Sequence, residues 1–485
     1  MTPSARRRVP AVHDALADLR WLINPRRRLL PRQPLTSSDH APNRCARSSF
    51  VSETRTPGQA SDYEYVCIIT FIKEASTTLR RQQQLADMDE EVHGIVIVGG
   101  GICGLATALA LHRKGIPSLV LEKSENLRAA GGSIGVHVNG WRALDQLGIT
   151  GELRETADNV TEFHDVWQHE NNKSVVVPVR GELRWVKRKD LIETMAKNIP
   201  SGAIRFGCHI ADIKPANPGS HGAILTTLDG SIIRAKALIG CDGGNSVVAK
   251  YLGLSPPKSF PRLIVRGFTR YPHGHPFGPH FLRLRCNGLF VGRSPMTENL
   301  VNFFVGVWHP GGSVTKDPIA VRGLVLEKVK EQCSDEIVEM VHDVDTESLI
   351  VLTKIWYRPP WQVMFSSFRR GTATIAGDAM HVMGSYIGQG GSAAMEDAIV
   401  LARSLSRAAG SGGGGGELCE KKIGAAMAEY VRERRLRVVR LSLESFAMGM
   451  IWATKSMLAK LACQAIVAVL GTHSLGHTNY DCGRL

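Results

Sequence analysis

The stretch Ile95-Val96-Ile97-Val98-Gly99-Gly100-Gly101-Ile102-Cys103-Gly104 decides the fold class of this 485-residue chain. Its first four residues form an apolar β-branched run, which is typical of a strand buried on both faces of a parallel sheet. A G-x-G-x-x-G pattern follows, and residues 102–114 then have helical spacing and stop at Gly115. A second buried strand, 118–121, ends at Glu122. The sequence therefore predicts a β-α-β unit of about 30 residues.

Three glycines and one carboxylate of this unit have distinct expected roles. Gly99 would make the tight turn, Gly101 would let a pyrophosphate approach the backbone, and Gly104 would let helix and strand pack closely. The helix N terminus offers unpaired N–H groups and a partial positive charge to phosphates. Glu122 can accept hydrogen bonds from a ribose diol, and its charge would repel a 2′-phosphate. The unit therefore predicts a site for an unphosphorylated adenosine dinucleotide.

Two further glycine-containing motifs follow buried strands. The first is Gly240-Cys241-Asp242-Gly243-Gly244-Asn245-Ser246, which on its own is equally typical of a strand-to-turn element with an Asx turn. The second is Gly377-Asp378-Ala379-Met380-His381, and the run Gly388-Gln389-Gly390-Gly391 after it precedes a predicted helix over 392–408. That run predicts another helix N terminus that binds a phosphate or a ring. Asp378 could accept hydrogen bonds from a polyol chain.

These three motifs, in this order and at these separations, resemble those of the FAD-dependent aromatic-ring hydroxylases, the superfamily of p-hydroxybenzoate and salicylate hydroxylases. The likeness covers residues 90–445 and is nearest to plant monooxygenases related to 3-hydroxybenzoate 6-hydroxylase and, more distantly, to zeaxanthin epoxidase. It implies that NAD(P)H reduces FAD, that O2 adds to the reduced ring, and that the peroxyflavin inserts one oxygen atom into a small, aromatic, hydroxybenzoate-like substrate.

The resemblance also implies roles for single residues. The first glycine motif and Glu122 would hold the ADP half of FAD, and Lys123 stands where many relatives have Arg. Asp378 would meet the ribitol or pyrophosphate, and the 388–391 loop would lie against the isoalloxazine. Arg188 would touch the cofactor from a helix start, although a surface cation opening a basic helix is the alternative. The implied cofactor-binding residues are Gly99, Gly101, Gly104, Glu122, Lys123, Arg188, Asp242, Gly243, Asp378, Gly388, Gln389, Gly390 and Gly391.

His381 is the candidate catalytic residue, because a histidine can relay protons near neutral pH. The alternative is that it only packs beside the loop. Val382 and Ser385 stand where relatives often have proline, so the path of the loop over the flavin can differ here. Alternating segments over 262–310 predict an antiparallel sheet that covers the substrate. The candidate liners on this sheet are Arg266, Phe281 and Arg283.

The predicted fold class is α/β. It combines a Rossmann-like FAD-binding domain (parallel sheet, ββα variant) with an antiparallel-sheet substrate domain and C-terminal helices. Two helices are also expected within 318–343. The expected boundaries are 1–87 for a basic extension, 88–168 with 183–255 and 357–408 for the FAD-binding domain, 169–182 with 256–356 for the substrate domain, 409–416 for a glycine-rich loop and 417–485 for a helical segment.

The charges and cysteines narrow the functional classes. The net charge is +14, and residues 1–60 hold eleven arginines against four acidic residues. This pattern is typical of a solvated tail or an organelle transit peptide, so cytoplasm and chloroplast are both expected locations. A basic face interleaved with aromatic residues, as in a nucleic-acid binder, is not evident. The ten cysteines form no C-x-x-C pair, which predicts a reducing compartment and no metal site.

The stretch 446–470 and the substrate leave alternatives open. The stretch is apolar but contains Lys455 and Lys460, which argues against a transmembrane span and leaves a packed helix or a peripheral membrane contact. One rival function is a flavin epoxidase or reductase acting on an isoprenoid or lipid-like substrate. A second is a non-catalytic flavin-fold interaction protein, although the intact glycines, Glu122 and Asp378 favour a working cofactor site.

Overall fold

The computed structural model describes residues 91–127, 131–168, 173–216, 222–308, 317–410, 419–454, 456–471 and 476–485. The predicted extension 1–87 and most of the predicted glycine-rich loop 409–416 lie outside the described residues. Residues Met88–Leu485 group into one compact unit.

The described residues form strands and helices in mixed order. The strands are β1 (Glu91–Val98), β2 (Leu119–Leu121), β3 (Ser133–His137), β4 (Glu162–Trp167), β5 (Lys173–Pro178), β6 (Leu183–Lys187), β7 (Ile204–Arg205), β8 (Ile210–Pro215), β9 (Ala223–Thr227), β10 (Ile232–Gly240), β11 (Lys258–Arg270), β12 (His280–Arg285), β13 (Phe290–Thr297), β14 (Leu300–Trp308), β15 (Ile350–Tyr357), β16 (Arg369–Arg370) and β17 (Ala373–Ile375). The α-helices are α1 (Ile102–Arg113), α2 (Val138–Leu147), α3 (Thr150–Arg154), α4 (Arg188–Lys197), α5 (Val247–Tyr251), α6 (Pro318–Lys330), α7 (Asp335–His342), α8 (Pro360–Phe365), α9 (Asp378–His381), α10 (Gly390–Gly410), α11 (Glu420–Ala453) and α12 (Met457–Gly471). Short 3-10 turns are Thr346–Ser348, Ser385–Ile387 and Gly476–Asn479.

The first sheet is built on parallel strands in the order β17-β10-β1-β2-β7, with β16 antiparallel at one edge. Strands β8 and β9 extend it beside the start of β10. The register aligns Val98 with Leu121 and with Gly240, and aligns Gly240 with Ile375. Four parallel strands therefore end at one edge, so the loops that follow them meet there. The predicted Rossmann-like sheet is confirmed.

The second sheet has the order β15-β11-β14-β13-β12-β4-β5. Its neighbours are antiparallel except for β12 and β4, which pair in parallel. The predicted antiparallel sheet over 262–310 is present. Strand β4, which we placed in the FAD-binding part, lies in this second sheet, because Phe163 packs on Phe281 and Asp165 pairs with Arg283.

The C-terminal helices differ in extent from the expected ones. Helix α11 runs from Glu420 to Ala453 within the helical segment expected over 417–485, and it buries Tyr430, Arg434 and Leu441 at helical spacing. The apolar stretch 446–470 therefore divides between the end of α11 and the separate helix α12. Helices α6 and α7 confirm the two helices predicted within 318–343. Among the described residues, the length and apolar character of the helices give no candidate membrane span.

Candidate cofactor and substrate site

A cavity of about 1160 Å³ opens where the parallel strands end and extends to the second sheet. It collects residues from all three glycine-containing motifs. The predicted cofactor-binding residues that line it are Gly99, Gly101, Glu122, Lys123, Arg188, Asp242, Gly243, Asp378, Gly388, Gly390 and Gly391. Gly104, Gln389 and His381 are not part of its wall. The fold thus joins residues that are up to about 290 positions apart in the chain.

The β1–α1 turn has the geometry that its glycines predict. Gly99 has φ +102°, and a Cβ at this position would lie 2.6 Å from the Cys241 carbonyl oxygen. A Cβ on Gly104 would lie 1.8 Å from the Gly99 carbonyl oxygen, so α1 packs against the turn only because this side chain is absent. A Cβ on Gly101 would meet no heavy atom within 4 Å. The turn is therefore closed on the protein side and open to the cavity at Gly101, which suits a pyrophosphate at the helix N terminus.

Glu122 is held rigidly in the cavity wall. It is buried, its Oε2 accepts a hydrogen bond from the Gly100 N–H at 2.6 Å, and its Oε1 accepts one from the Ser124 N–H at 3.0 Å. Two carboxylate oxygens have further lone pairs, so the group can still accept hydrogen bonds from a ribose diol. Arg188 is half-buried, is the first residue of α4 and lines the cavity. Its Cδ packs close to Gly131, because a Cβ added to that glycine would lie 2.8 Å from it. It is a cavity residue, and the alternative of a surface cation does not describe its position.

The two aspartates that follow strands have different surroundings. Asp242 accepts hydrogen bonds from the Ser246 hydroxyl at 2.5 Å and the Val247 N–H at 2.7 Å, so it binds the start of α5 as well as lining the cavity. Asp378 is exposed to the cavity, and desolvation by the surrounding protein raises its pKa. A carboxyl group in this position gains from hydroxyl donors supplied by a ligand. The open backbone at Gly101, the held carboxylate of Glu122 and the Asp378 carboxyl together fit FAD.

Behind the 388–391 loop, amide side chains connect the cavity wall to a buried helix. Gly388 has φ +63°, which favours glycine at this bend. Gln389 is buried, and its Oε1 accepts a hydrogen bond from Asn139 Nδ2 at 2.8 Å. The same Asn139 amide group donates to Glu396 at 2.6 Å. Gln389 therefore positions the loop from behind, and it does not face the cavity as predicted for a cofactor-binding residue.

A fully buried group of charges supports this loop, and the sequence analysis did not identify it. Arg434 on α11 binds Asp397 at 2.7 Å and Glu396 at 2.6 Å on α10, and Arg437 binds Glu396 at 2.9 Å. Burial opposes ionisation of Asp397, but His381 and Arg434 outweigh it and lower its pKa to about 2. The sequence feature that could have predicted this group is Glu396-Asp397 within an otherwise apolar helical run, because buried charges need partners.

His381 belongs to this buried group and not to the cavity. Its side chain is fully buried, and its Nε2–H donates to Asp397 Oδ2 at 2.6 Å. The Gly377 N–H donates to the same carboxylate oxygen at 2.8 Å. Since His381 does not line the cavity, its position matches the packing alternative, in which it fixes the loop that carries Asp378. The catalytic role predicted for it has no geometric support.

The part of the cavity beneath the second sheet is aromatic. The Trp185 ring centroid lies 5.1 Å from that of Phe281 and 6.4 Å from that of Phe304, and Phe163 stands 5.9 Å from Phe281. All four rings line the cavity. Aromatic rings prefer such tilted and edge contacts, and they would offer the same contacts to a flat ligand. Phe281 was a predicted liner, and Phe163, Trp185 and Phe304 were not identified.

Three arginines of this region differ in how their charge is balanced. Arg283 and Arg285 both pair with the buried Asp165. Arg266 donates to the Thr353 hydroxyl at 2.9 Å, and among the described residues no carboxylate lies within ion-pair distance of it. Burial lowers the pKa of Arg266. Arg266 and Arg283 both line the cavity as predicted, and Arg266 is a half-buried cation that lacks a protein counter-ion in the described part of the chain.

The C-terminal region contributes two ionisable cavity residues that the sequence analysis missed. Glu444 on α11 and His477 in the turn Gly476–Asn479 both line the cavity and are both buried. His477 Nδ1 and Glu444 Oε1 are 3.0 Å apart. Sequence offered little signal for the pair, because Glu444 lies in a charged helix and His477 lies near the chain end.

Comparisons with known proteins agree with this geometry. A family model described as "FAD binding domain" matches residues 92–421. "Monooxygenase 1" of Arabidopsis thaliana is 44% identical over 400 residues, which cover 82% of this chain and 100% of the relative. "3-hydroxybenzoate 6-hydroxylase" of Klebsiella oxytoca is 26% identical over 75% of this chain and 87% of its own length. A solved structure of Klebsiella pneumoniae HpxO with FAD and uric acid matches with a TM-score of 0.65 and 23% identity over 80% of this chain and 96% of that one.

Proposed function

Because this chain belongs to the FAD-dependent monooxygenases, we propose that it uses NAD(P)H and O2 to insert one oxygen atom into a small aromatic acid of the hydroxybenzoate type. FAD, when bound, supplies the transfer of electrons to O2 and the activation of oxygen. The protein binds the cofactor, orients the substrate and excludes water.

The chain's own residues divide this work along the cavity. The N–H groups at the start of α1 and the Glu122 carboxylate would hold the ADP half of FAD, and Asp378 would accept hydrogen bonds from its ribitol. Backbone N–H groups around Gly388–Gly391 would face the flavin ring, where they can stabilise negative charge. The aromatic residues of the cavity wall would contact the substrate beside this loop.

The surroundings of Arg266 are the observation on which the proposal of an aromatic acid rests. Arg266 is a half-buried cation at the cavity wall with a hydroxyl partner and, among the described residues, no carboxylate partner. Burial of a charge without a counter-ion is costly, and a bound carboxylate would offset this cost. The rings of Trp185, Phe281 and Phe304 would hold the aromatic part of the same ligand. The names of relatives that act on 3-hydroxybenzoate and bind uric acid support the same class of flat, acidic molecules.

The test measures oxidation of NADH and NADPH in air by the flavin-loaded protein, with a panel of hydroxybenzoates and the matching phenols that lack the carboxylate. We expect hydroxybenzoates to stimulate oxidation and to yield a product heavier by one oxygen atom. Arg266→Met should raise the KM for the acids by at least about tenfold and leave that for the phenols nearly unchanged. Arg270→Met is the matched control, because Arg270 lies on the same strand and its side chain is 71% exposed. Equal use of acids and phenols by both proteins would refute the proposal.

A second candidate is oxidation of an isoprenoid or lipid-like substrate. Met448, Trp452 and Val467 form an apolar part of the cavity wall at α11 and α12. The outer side of α12 is also apolar, with Leu458 81% and Val469 73% exposed. Such a helix face is compatible with peripheral contact to a membrane from which an apolar substrate would enter. Product formation from a prenylated substrate supplied in vesicles, and not from hydroxybenzoates, would favour this candidate.

A further inference from the structure

Residues 476–485, here called the C-terminal segment, are fixed to the helices around the cavity by arginines. Arg142 of α2 donates to the Asn479 carbonyl at 2.8 Å, and Arg403 of α10 donates to the Cys482 carbonyl at 2.6 Å. Arg437 of α11 donates to the His477 carbonyl at 2.7 Å, and its guanidinium lies 4.3 Å from the centre of the Tyr480 ring. Three helices thus hold the segment in one position, and this position brings His477 to the cavity.

His477 and Glu444 form a hydrogen-bonded pair that can still accept further hydrogen bonds. A carboxylate only accepts hydrogen bonds, so His477 Nδ1 carries the proton and donates to Glu444 Oε1 at 3.0 Å. Nε2 then keeps its lone pair. Glu444 Oε2 is buried and has no hydrogen-bond partner among the described residues. A carboxylate oriented in this way holds the imidazole in one tautomer.

The pair lies close to the segment Gly384–Gly388, which lines the cavity. Ser445, next to Glu444, donates to the Gly384 carbonyl at 2.7 Å. His137 also lines the cavity, and its Nε2 would be 3.8 Å from a Cβ on Gly388. The pair therefore shares the cavity with the loop that we expect to face the flavin ring.

We propose that Glu444 and His477 are an acid–base pair that removes the proton from the hydroxyl group of a phenolic substrate. This inference rests on the proposed function, because it requires a phenol in the cavity. The O–H bond of the phenol breaks, an N–H bond forms at His477 Nε2, and the electron pair stays on the phenolate oxygen. The ring becomes richer in electrons, which favours attack by an electrophilic oxygen atom. Glu444 stabilises the imidazolium until the proton returns to the product.

The surrounding charges are compatible with this direction of transfer. Burial is the main cause that lowers the pKa of His137 to about 3, and the charge of His477 in its protonated form and that of Arg283 act in the same direction. His137 therefore stays neutral at physiological pH. Arg283 on β12 also lines the cavity and would attract a phenolate. Arg437 faces the His477 carbonyl, while its guanidinium is paired with Glu396. Glu444 is thus the anion that contacts the His477 ring.

The test is a spectrophotometric pH titration of hydroxybenzoates bound to the flavin-loaded protein without NAD(P)H, because phenol and phenolate absorb differently. In the unchanged protein the bound phenol should ionise at least about one pH unit lower than in water. His477→Asn should return the ionisation towards its value in water, and Glu444→Gln should do so in part. His112→Asn is the control, because His112 is exposed on α1 and outside the cavity. Flavin content is measured for every variant.

The outcomes distinguish failure of the proposed substrate class from failure of the acid–base pair. If the unchanged protein binds none of the hydroxybenzoates, the proposed substrate class fails and the role of the pair fails with it. If it binds and ionises them, and His477→Asn and Glu444→Gln do so equally well, only the acid–base pair is refuted. If both variants lose FAD while His112→Asn keeps it, the pair positions the cofactor and the proposal is also overturned.

Discussion

Replacing Gly101 by valine separates binding of the cofactor from folding of the protein. A Cβ at this position meets no heavy atom within 4 Å, and the backbone φ of −83° is ordinary for any residue. We therefore expect the free energy of unfolding of the cofactor-free protein to change by less than about 1 kcal/mol. The open space is where the pyrophosphate would approach the backbone, and valine would fill it. We expect the loss of these contacts to make the binding free energy of FAD less favourable by about 3 kcal/mol, which corresponds to an affinity about a hundredfold weaker.

The assay compares the ratio of flavin to protein absorbance after purification, the Kd for added FAD and the melting temperature of the cofactor-free form. Gly323→Val is the matched control, because Gly323 is exposed on α6 and a Cβ there also meets nothing within 4 Å. We expect the control to retain FAD and the Gly101→Val protein to lose it. A Gly101→Val protein that purifies with full flavin would refute the assignment of the pyrophosphate to this turn.

Three further outcomes follow from the same structure, and a fourth follows from the sequence of residues 1–87. Gly104→Ala should destabilise the protein itself by more than about 3 kcal/mol, because its Cβ would lie 1.8 Å from a backbone oxygen; an unchanged urea midpoint would contradict this. The pKa of Asp397 is lowered from 3.8 to about 2, so its ionised form contributes about 2 kcal/mol to the free energy of unfolding. This contribution is present above pH about 4 and is lost as the pH falls towards 2. Asp397→Asn should remove this part of the pH dependence of unfolding. Arg434→Met leaves two buried carboxylates short of a partner and should cost about 3–5 kcal/mol, checked by chemical denaturation. A chain starting at Met88 should keep its flavin and melting temperature, and a fluorescent fusion to residues 1–87 should locate in chloroplasts if they act as a transit peptide.

The cofactor half of the site was predictable because it depends on local rules. A buried strand, a tight turn and a helix N terminus have sequence patterns that do not require knowledge of distant contacts. Parallel strands end at one edge, so motifs at 99–104, 240–246 and 377–391 had to converge there. The resemblance to known hydroxylases then assigned each motif to a part of FAD.

The rest depended on contacts between distant segments. The imidazole of His381 can relay protons, but it is buried in the core, where it is hydrogen-bonded to Asp397 on α10. No local sequence pattern encodes that pairing. The aromatic wall combines Phe163 from β4 with Phe281 from β12, two strands whose parallel pairing joins segments more than 110 residues apart. His477 lines the cavity in a segment to which arginines of three helices bind. Such tertiary pairings override local propensity and escape analysis of a single sequence.

The most direct test of the central claim is the fate of oxygen-18 supplied as O2 to the flavin-loaded protein with NAD(P)H and a hydroxybenzoate that stimulates oxidation. Mass spectrometry of the product then counts the labelled atoms. We predict one atom of oxygen-18 in each molecule of hydroxylated product, with NAD(P)H consumed in equal amount. Product whose new oxygen comes from water, or NAD(P)H oxidation that yields hydrogen peroxide and no oxygenated product with any substrate, would contradict the account.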